Sequence, residues 1–221
     1  MKEVNYKSFV GPEESYDAHG KTVFDLLIEE GLEPSHNLLD IGCGSVRLGK
    51  HLIPFLDCKK YHGLEPDKKW LTKGLENEVP KDILDLKKPT FSHVSDFSLT
   101  DFDEFSRWPR AQTNFDFAVA CQVFIHCGVE QLKQCLANVS PRMNPNARFY
   151  ISVYISEETV EYPYVFKKRY RHSSHKRTKY KKEDFTFILR QHGLVGAIVP
   201  PRFKSEGFDP ELKFFLITRR P

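Results

Sequence analysis

The sequence predicts an open α/β sheet of seven mostly parallel strands, the last of them antiparallel, with helices on both faces. Three observations lead there. Short apolar runs alternate along the chain with stretches whose apolar residues recur at helical spacing. One run, FDFAVAC at residues 115–121, is almost wholly apolar, as a strand buried on both faces of a parallel sheet must be. The last two runs, 194–199 and 212–218, are joined by a loop too short for a crossover helix, so they pair antiparallel.

Each element has its own reason. Residues 16–31 (YDAHGKTVFDLLIEEG) make a first helix, with Val23, Leu26 and Leu27 on one side and Gly31 as its stop. Strand one covers 38–41. The stretch LLDIGCGSVRLG then places Gly42, Gly44 and Gly49 on a strand-to-helix turn, followed by a helix from Val46 to near Leu56. KYHGLE (60–65) reads as the second strand, and Pro66 suits the first position of the next helix. FSHVSD (91–96) reads as the third strand and 115–121 as the fourth. Residues 129–143 carry Leu132, Leu136 and Val139 at core spacing, RFYISVYI (148–155) is the fifth strand, and 183–192 form a helix closed by Gly193. No repeat or second core is visible. A single domain over 1–221 is expected, with residues 1–36 as an N-terminal helical cap and 156–182 as an insertion.

The chain has 221 residues, 40% of them hydrophobic and 29% charged, which suits one domain with a full core. Its longest apolar runs are too short to span a bilayer, and the opening MKEVNYKSFV has no charged-then-apolar leader, so no membrane partner is expected. The five cysteines (Cys43, Cys58, Cys121, Cys127 and Cys135) are odd in number and form no C-x-x-C. Free thiols in a reducing, cytoplasmic setting follow. Cys121, His126 and Cys127 lack the paired spacing of a zinc site, so no metal is expected. Charge is uneven. Residues 161–182 hold nine Lys/Arg against one acid, a net +8 within a chain of +3, so the remainder is acidic.

Three ligand-binding points fall at the ends of strands, where open α/β sheets bind their ligands. They are the Gly42/Gly44/Gly49 turn, Glu65 closing the second strand, and Asp96-Phe97 closing the third. Glycines bring backbone N–H groups close to a ligand, an acid grips a ribose diol, and an acceptor beside an aromatic face suits adenine. Together they describe an adenosine with something attached. Arg47 occupies the third position of a G-x-G-x-x-G pattern and the P-loop pattern is absent, so neither a nicotinamide dinucleotide nor a nucleoside triphosphate is indicated.

With these residues in view, the chain resembles the class I S-adenosylmethionine-dependent methyltransferases from roughly Leu38 to Thr218. LLDIGCG looks like that family's first motif, GLE (63–65) its ribose acid, SDF (95–97) its adenine site and FDFAVACQVFIH its fourth motif. FVGPEESYDAHG, GCGSVRLGKHLIPFLDCKKYHGLEPDKKWL and FSHVSDF resemble a branch of small, single-domain bacterial-type members of unassigned substrate. The resemblance implies a Rossmann-like fold and S-adenosylmethionine as cofactor. It implies that Asp40, Gly42 and Gly44 hold the methionine end with Cys43 between them, and that Glu65, beside Pro66, takes the ribose. Asp96 and Phe97 would take the adenine, and Cys121 and Gln122 would face the sulfonium.

The methyl acceptor is less sharply drawn. His126 is placed as a general base near the end of strand four, or as a residue that opens the next helix. Asp96 has a parallel alternative as the cap of the following turn. Cys121-Gln122 lacks a preceding proline, so covalent attack is not expected. Tyr16, His19 and Tyr154 are candidates to line the acceptor pocket, and Arg169 and Arg171 to bind the acceptor. The basic segment suits transfer to O or N of a small acidic metabolite or saccharide. The alternatives are an RNA methyltransferase using 161–182 as its footprint, and a non-catalytic S-adenosylmethionine-binding module.

Overall fold

A computed structural model of the chain describes residues 5–103, 112–162, 177–199 and 211–220. These divide into two compact units, the first running to Val94 and the second beginning at Ser95.

In the first unit, helix α1 (Tyr16–Glu29) ends as the sequence indicates, with Gly31 in the left-handed region at φ 86°. Strands β1 (Leu38–Ile41), β2 (Tyr61–Leu64) and β3 (Thr90–Ser92) pair parallel in the order β3-β2-β1. Ile41 lies opposite Leu64, so β1 and β2 finish level and the turn after β1 comes beside Glu65. Helices α2 (Gly49–Phe55), α3 (Lys68–Glu78) and α4 (Lys81–Lys87) complete the unit, α4 being unforeseen in the sequence.

In this unit three boundaries differ from expectation, each for a local reason. Helix α2 starts at Gly49 rather than Val46, because Gly42, Gly44 and Val46 all take positive φ and a right-handed helix cannot pass through them. Gly49 therefore belongs to the helix and not to the turn. Helix α3 is opened by Asp67, whose carboxylate accepts the Lys69 and Trp70 N–H groups, and Pro66 lies just outside it. Strand β3 stops at Ser92, opposite Leu64, because β2 offers nothing further to pair with. Asp96 and Phe97 thus lie in the loop beyond β3 and do not close the strand.

In the second unit, β4 (Phe115–Ala120) pairs parallel with β5 (Met143–Ser156). Strand β8 (Leu212–Arg219) runs antiparallel to both β5 and β7 (Leu194–Ile198), giving the order β4-β5-β8-β7 and the expected closing pair. A short extra strand, β6 (Lys179–Lys181), lies parallel to the last residues of β5 and makes eight among the described residues. Helices α5 (Val129–Val139) and α6 (Lys182–Gln191) bury Leu132, Leu136 and Val139, and Phe185, Ile188 and Leu189. Helix α5 ends four residues earlier than 143, where Pro141 lies in a 3-10 turn leading directly into β5. Within that turn the buried guanidinium of Arg142 grips Asp103 at 2.6 and 3.1 Å and donates to the carbonyls of Thr113 and Leu99.

Candidate functional site

The glycine turn is closely encased. A side chain on Gly20 of α1 would meet the Arg47 carbonyl at 2.1 Å, and one on Gly74 of α3 would meet the Ser45 carbonyl at 2.2 Å. Both helices therefore rest backbone to backbone on the turn, which only glycine allows. Tyr16, fully buried, donates its hydroxyl to the Ser45 carbonyl at 2.6 Å. The Arg47 guanidinium donates to the Val10 carbonyl at 3.0 Å and sits 3.2 Å from His19 Nδ1. The residues proposed to line an acceptor pocket, Tyr16 and His19, are thus found bracing the turn. The Val10 side chain lies directly on Gly44, where any Cβ would come within 2.3 Å of it.

Glu65 is 7% exposed and its carboxylate is held from both ends. Gly44 N–H donates to Oε2 at 3.0 Å and Asp67 N–H to Oε1 at 2.8 Å. Burial pushes its carboxyl up, and the Asp67 and Gly44 N–H groups pull it back down. Each oxygen keeps a lone pair for a further donor, so the group fits a vicinal diol. The Ser45 hydroxyl is buried without a hydrogen-bond partner, an orphan polar atom within the same turn.

Asp40 is the second buried acid, 3% exposed. Its Oδ2 accepts the Tyr61 hydroxyl at 2.7 Å. Burial pushes its carboxyl up to about 7, the Tyr61 hydrogen bond and the Arg47 charge lower it, and Glu65 raises it. Cys43 is buried, and its thiol is pushed well up by desolvation. Sequence reasoning missed Tyr61, Arg47 and Val10. An aromatic in a four-residue buried strand reads as core, and nothing local marks its hydroxyl as a partner of Asp40.

In the second unit, Asp96 is exposed and its Oδ1 accepts the Ser98 N–H at 3.0 Å, which is the turn-capping arrangement. Phe97 is buried at φ 59° with its ring 6.0 Å from that of Phe124. Gln122 takes φ 60° and donates its N–H to the Ser152 hydroxyl at 2.7 Å. Cys121 and His126 are half-buried in the bend between β4 and α5, His126 three residues ahead of the helix rather than opening it. Tyr154 on β5 accepts a hydrogen bond from Arg177, whose guanidinium also lies 5.1 Å from its ring centre. Arg169 and Arg171 lie outside the described residues.

Five non-glycine residues take positive φ among those described: Val46, Lys59, Lys88, Phe97 and Gln122. Lys88 ends α4, and Lys59 lies in the turn before β2. Of the other three, Val46 falls in the glycine turn, Phe97 at the residue pair expected to take the adenine, and Gln122 where the resemblance places the sulfonium. Strain of this kind persists where surrounding structure holds it, and it clusters at binding sites.

Among the described residues no cluster of three or more His, Cys, Asp or Glu is arranged to hold a metal ion, and no helix is long and apolar enough to cross a membrane.

Parallel strands with an antiparallel closing pair, and a glycine turn after β1, define a Rossmann-like protein of the class I methyltransferase fold. Residues 39–149, half of the chain, match the methyltransferase domain family, and the chain belongs to it. Among solved structures it is similar to magnesium protoporphyrin IX methyltransferase (ChlM) from Synechocystis PCC 6803 with bound SAM, at 15% identity and a TM-score of 0.63 over 99% of this chain and 86% of that one. An S-adenosylmethionine-dependent methyltransferase from Clostridium acetobutylicum ATCC 824 is similar at 15% identity and a TM-score of 0.62, over 93% of this chain and 92% of that one. The glycopeptide N-methyltransferase MtfA complexed with SAM is similar at 17% identity and a TM-score of 0.63, over 91% and 94% of the two chains.

Proposed function

We propose that this protein is an S-adenosylmethionine-dependent methyltransferase that modifies O or N of a small acidic metabolite or saccharide. The observation that carries the cofactor reading is the Glu65 carboxylate, oriented by the Gly44 and Asp67 N–H groups with lone pairs to spare. In the first unit, Glu65 with Pro66 beside it would hold the ribose, and Asp40, Gly42, Cys43 and Gly44 the methionine end. In the second, Asp96 and Phe97 would hold the adenine and the Cys121–Gln122 backbone would face the sulfonium. Bound S-adenosylmethionine supplies an activated methyl group on a good leaving centre. What remains for the protein is to align the acceptor and keep water away. His126 would orient the acceptor or take its proton.

The acceptor class is supported by the basic run 161–182 on an otherwise acidic chain. Of its described cations, Arg177 and Lys179 gather around the Tyr154 ring at 5.1 and 6.0 Å. The relatives act on a porphyrin and a glycopeptide, both of them acceptors of non-nucleic type. Calorimetry with S-adenosylmethionine tests the first half: Glu65→Ala should weaken binding by about 1–3 kcal/mol, the loss of a charge-assisted hydrogen bond. Unchanged affinity would show that the ribose is held elsewhere. Transfer of labelled methyl to acidic metabolites and saccharides tests the second half. RNA binding that falls steeply with salt would move the acceptor to nucleic acid. Cofactor binding without turnover on any acceptor would mark a sensor.

A further inference from the structure

Asp40 stands at the head of the glycine turn, buried, and what it touches is a neutral hydroxyl rather than a cation. A carboxylate in that position is costly unless something favours its charge. The fold makes room for this one contact. Tyr61 sits at the start of β2, opposite Leu38, and reaches along the strands to Asp40. Gly49, the first residue of α2, has no Cβ, and one placed there would come within 2.8 Å of the Tyr61 hydroxyl. Gly63 leaves similar space for the Cys43 sulfur, 3.0 Å from where its Cβ would stand.

We propose that Tyr61 is a positioning residue for the cofactor: its hydroxyl fixes the Asp40 carboxylate at the head of the turn and favours its charged form, so that this carboxylate acts as counter-ion to a cationic ligand. The inference rests on the methyltransferase reading above, whose cofactor carries a sulfonium and an ammonium. The groups facing Asp40 come from every side. Tyr61 lies on β2 and Glu65 just beyond it, Cys43 within the turn and Arg47 ahead of α2. Burial pushes the Tyr61 hydroxyl well up, so it stays a donor at all working pH values. With the Asp40 carboxyl pushed up to about 7, cofactor affinity should weaken as pH falls through neutrality and level off above it.

The test is calorimetric titration of S-adenosylmethionine from about pH 5.5 to about pH 9. In Tyr61→Phe the midpoint of the affinity profile should move upward by about one to two pH units, the worth of a hydrogen bond to a charged group. The deficit relative to the wild type should narrow towards the alkaline end. A residue with a purely structural role would weaken binding evenly across the range. Asp40→Asn should abolish the pH dependence, leaving affinity near the acid limit of the wild type, and it decides the matter if Tyr61→Phe does not fold. In the cofactor-free protein, a carboxyl raised on folding costs stability as pH climbs towards about 7. Asp40→Asn should therefore gain stability over the wild type with rising pH, and the gain should vanish in acid. An unmoved midpoint in Tyr61→Phe, or undiminished pH dependence in Asp40→Asn, overturns the proposal alone. A wild type that binds at no pH overturns the cofactor reading and this proposal with it.

Discussion

Val46 is a β-branched residue at φ 56°, fully buried, in a conformation that glycine would take at no cost. Two effects compete there. Strain of about 1–2 kcal/mol favours glycine, and burial of a valine side chain, about 1.5–3 kcal/mol, favours what is present. Burial wins, so both Val46→Ala and Val46→Gly should destabilise the protein. Alanine loses most of the packing yet keeps the strain, so Val46→Gly should be the more stable variant by about 1 kcal/mol in urea unfolding. Equal midpoints would mean that the turn relaxes once the isopropyl group is gone. Asp40 and Glu65 stood out in the sequence because each follows a short apolar run, Asp40 two residues ahead of Gly42 and Glu65 directly before Pro66. Tyr61 did not, since its hydrogen bond reaches a residue 21 positions away and its neighbours describe it as ordinary core.

At the scale of elements, the reading succeeded where patterns were long and failed where they were short. Strand β4, six residues and almost wholly apolar, and the closing pair β7–β8 needed only periodicity and loop length. Strand β6 has three residues, KYK, and a single inward side chain, Tyr180, so its alternation is lost in a basic run. The third strand was drawn too long because nothing within residues 93–96 (HVSD) marks the point at which β2 stops offering a partner. The junction of α5 and β5 carries a prediction of its own. Arg142 is nearly inaccessible and satisfies one carboxylate and two carbonyls. Arg142→Ala should destabilise the protein by about 3–5 kcal/mol, since it strands the Asp103 charge. Arg142→Lys should recover only part, because a single ammonium cannot reproduce the two-pronged grip. A urea midpoint unmoved by Arg142→Ala would show that the pair contributes no net stability.

For the whole molecule, the five thiols give a direct check on packing. Cys58 is exposed, Cys121 and Cys127 are half-buried, and Cys43 and Cys135 are buried. Burial pushes the Cys127 thiol up to about 12. A thiol reagent at neutral pH should therefore modify Cys58 rapidly, Cys121 and Cys127 slowly, and the remaining two only after denaturation. Fast reaction of Cys43 would mean that the glycine turn opens far more readily than its encasement allows. That encasement includes the segment Tyr6–Val10. Phe9 stacks on Trp70 at 5.4 Å, Tyr6 donates to Glu78 at 2.7 Å, and Val10 caps Gly44. Anyone preparing this protein for assay should accordingly leave its first dozen residues untouched. Trimming them would uncover an indole and the glycine turn, and an inert preparation would then report on the trimming rather than on the intact protein.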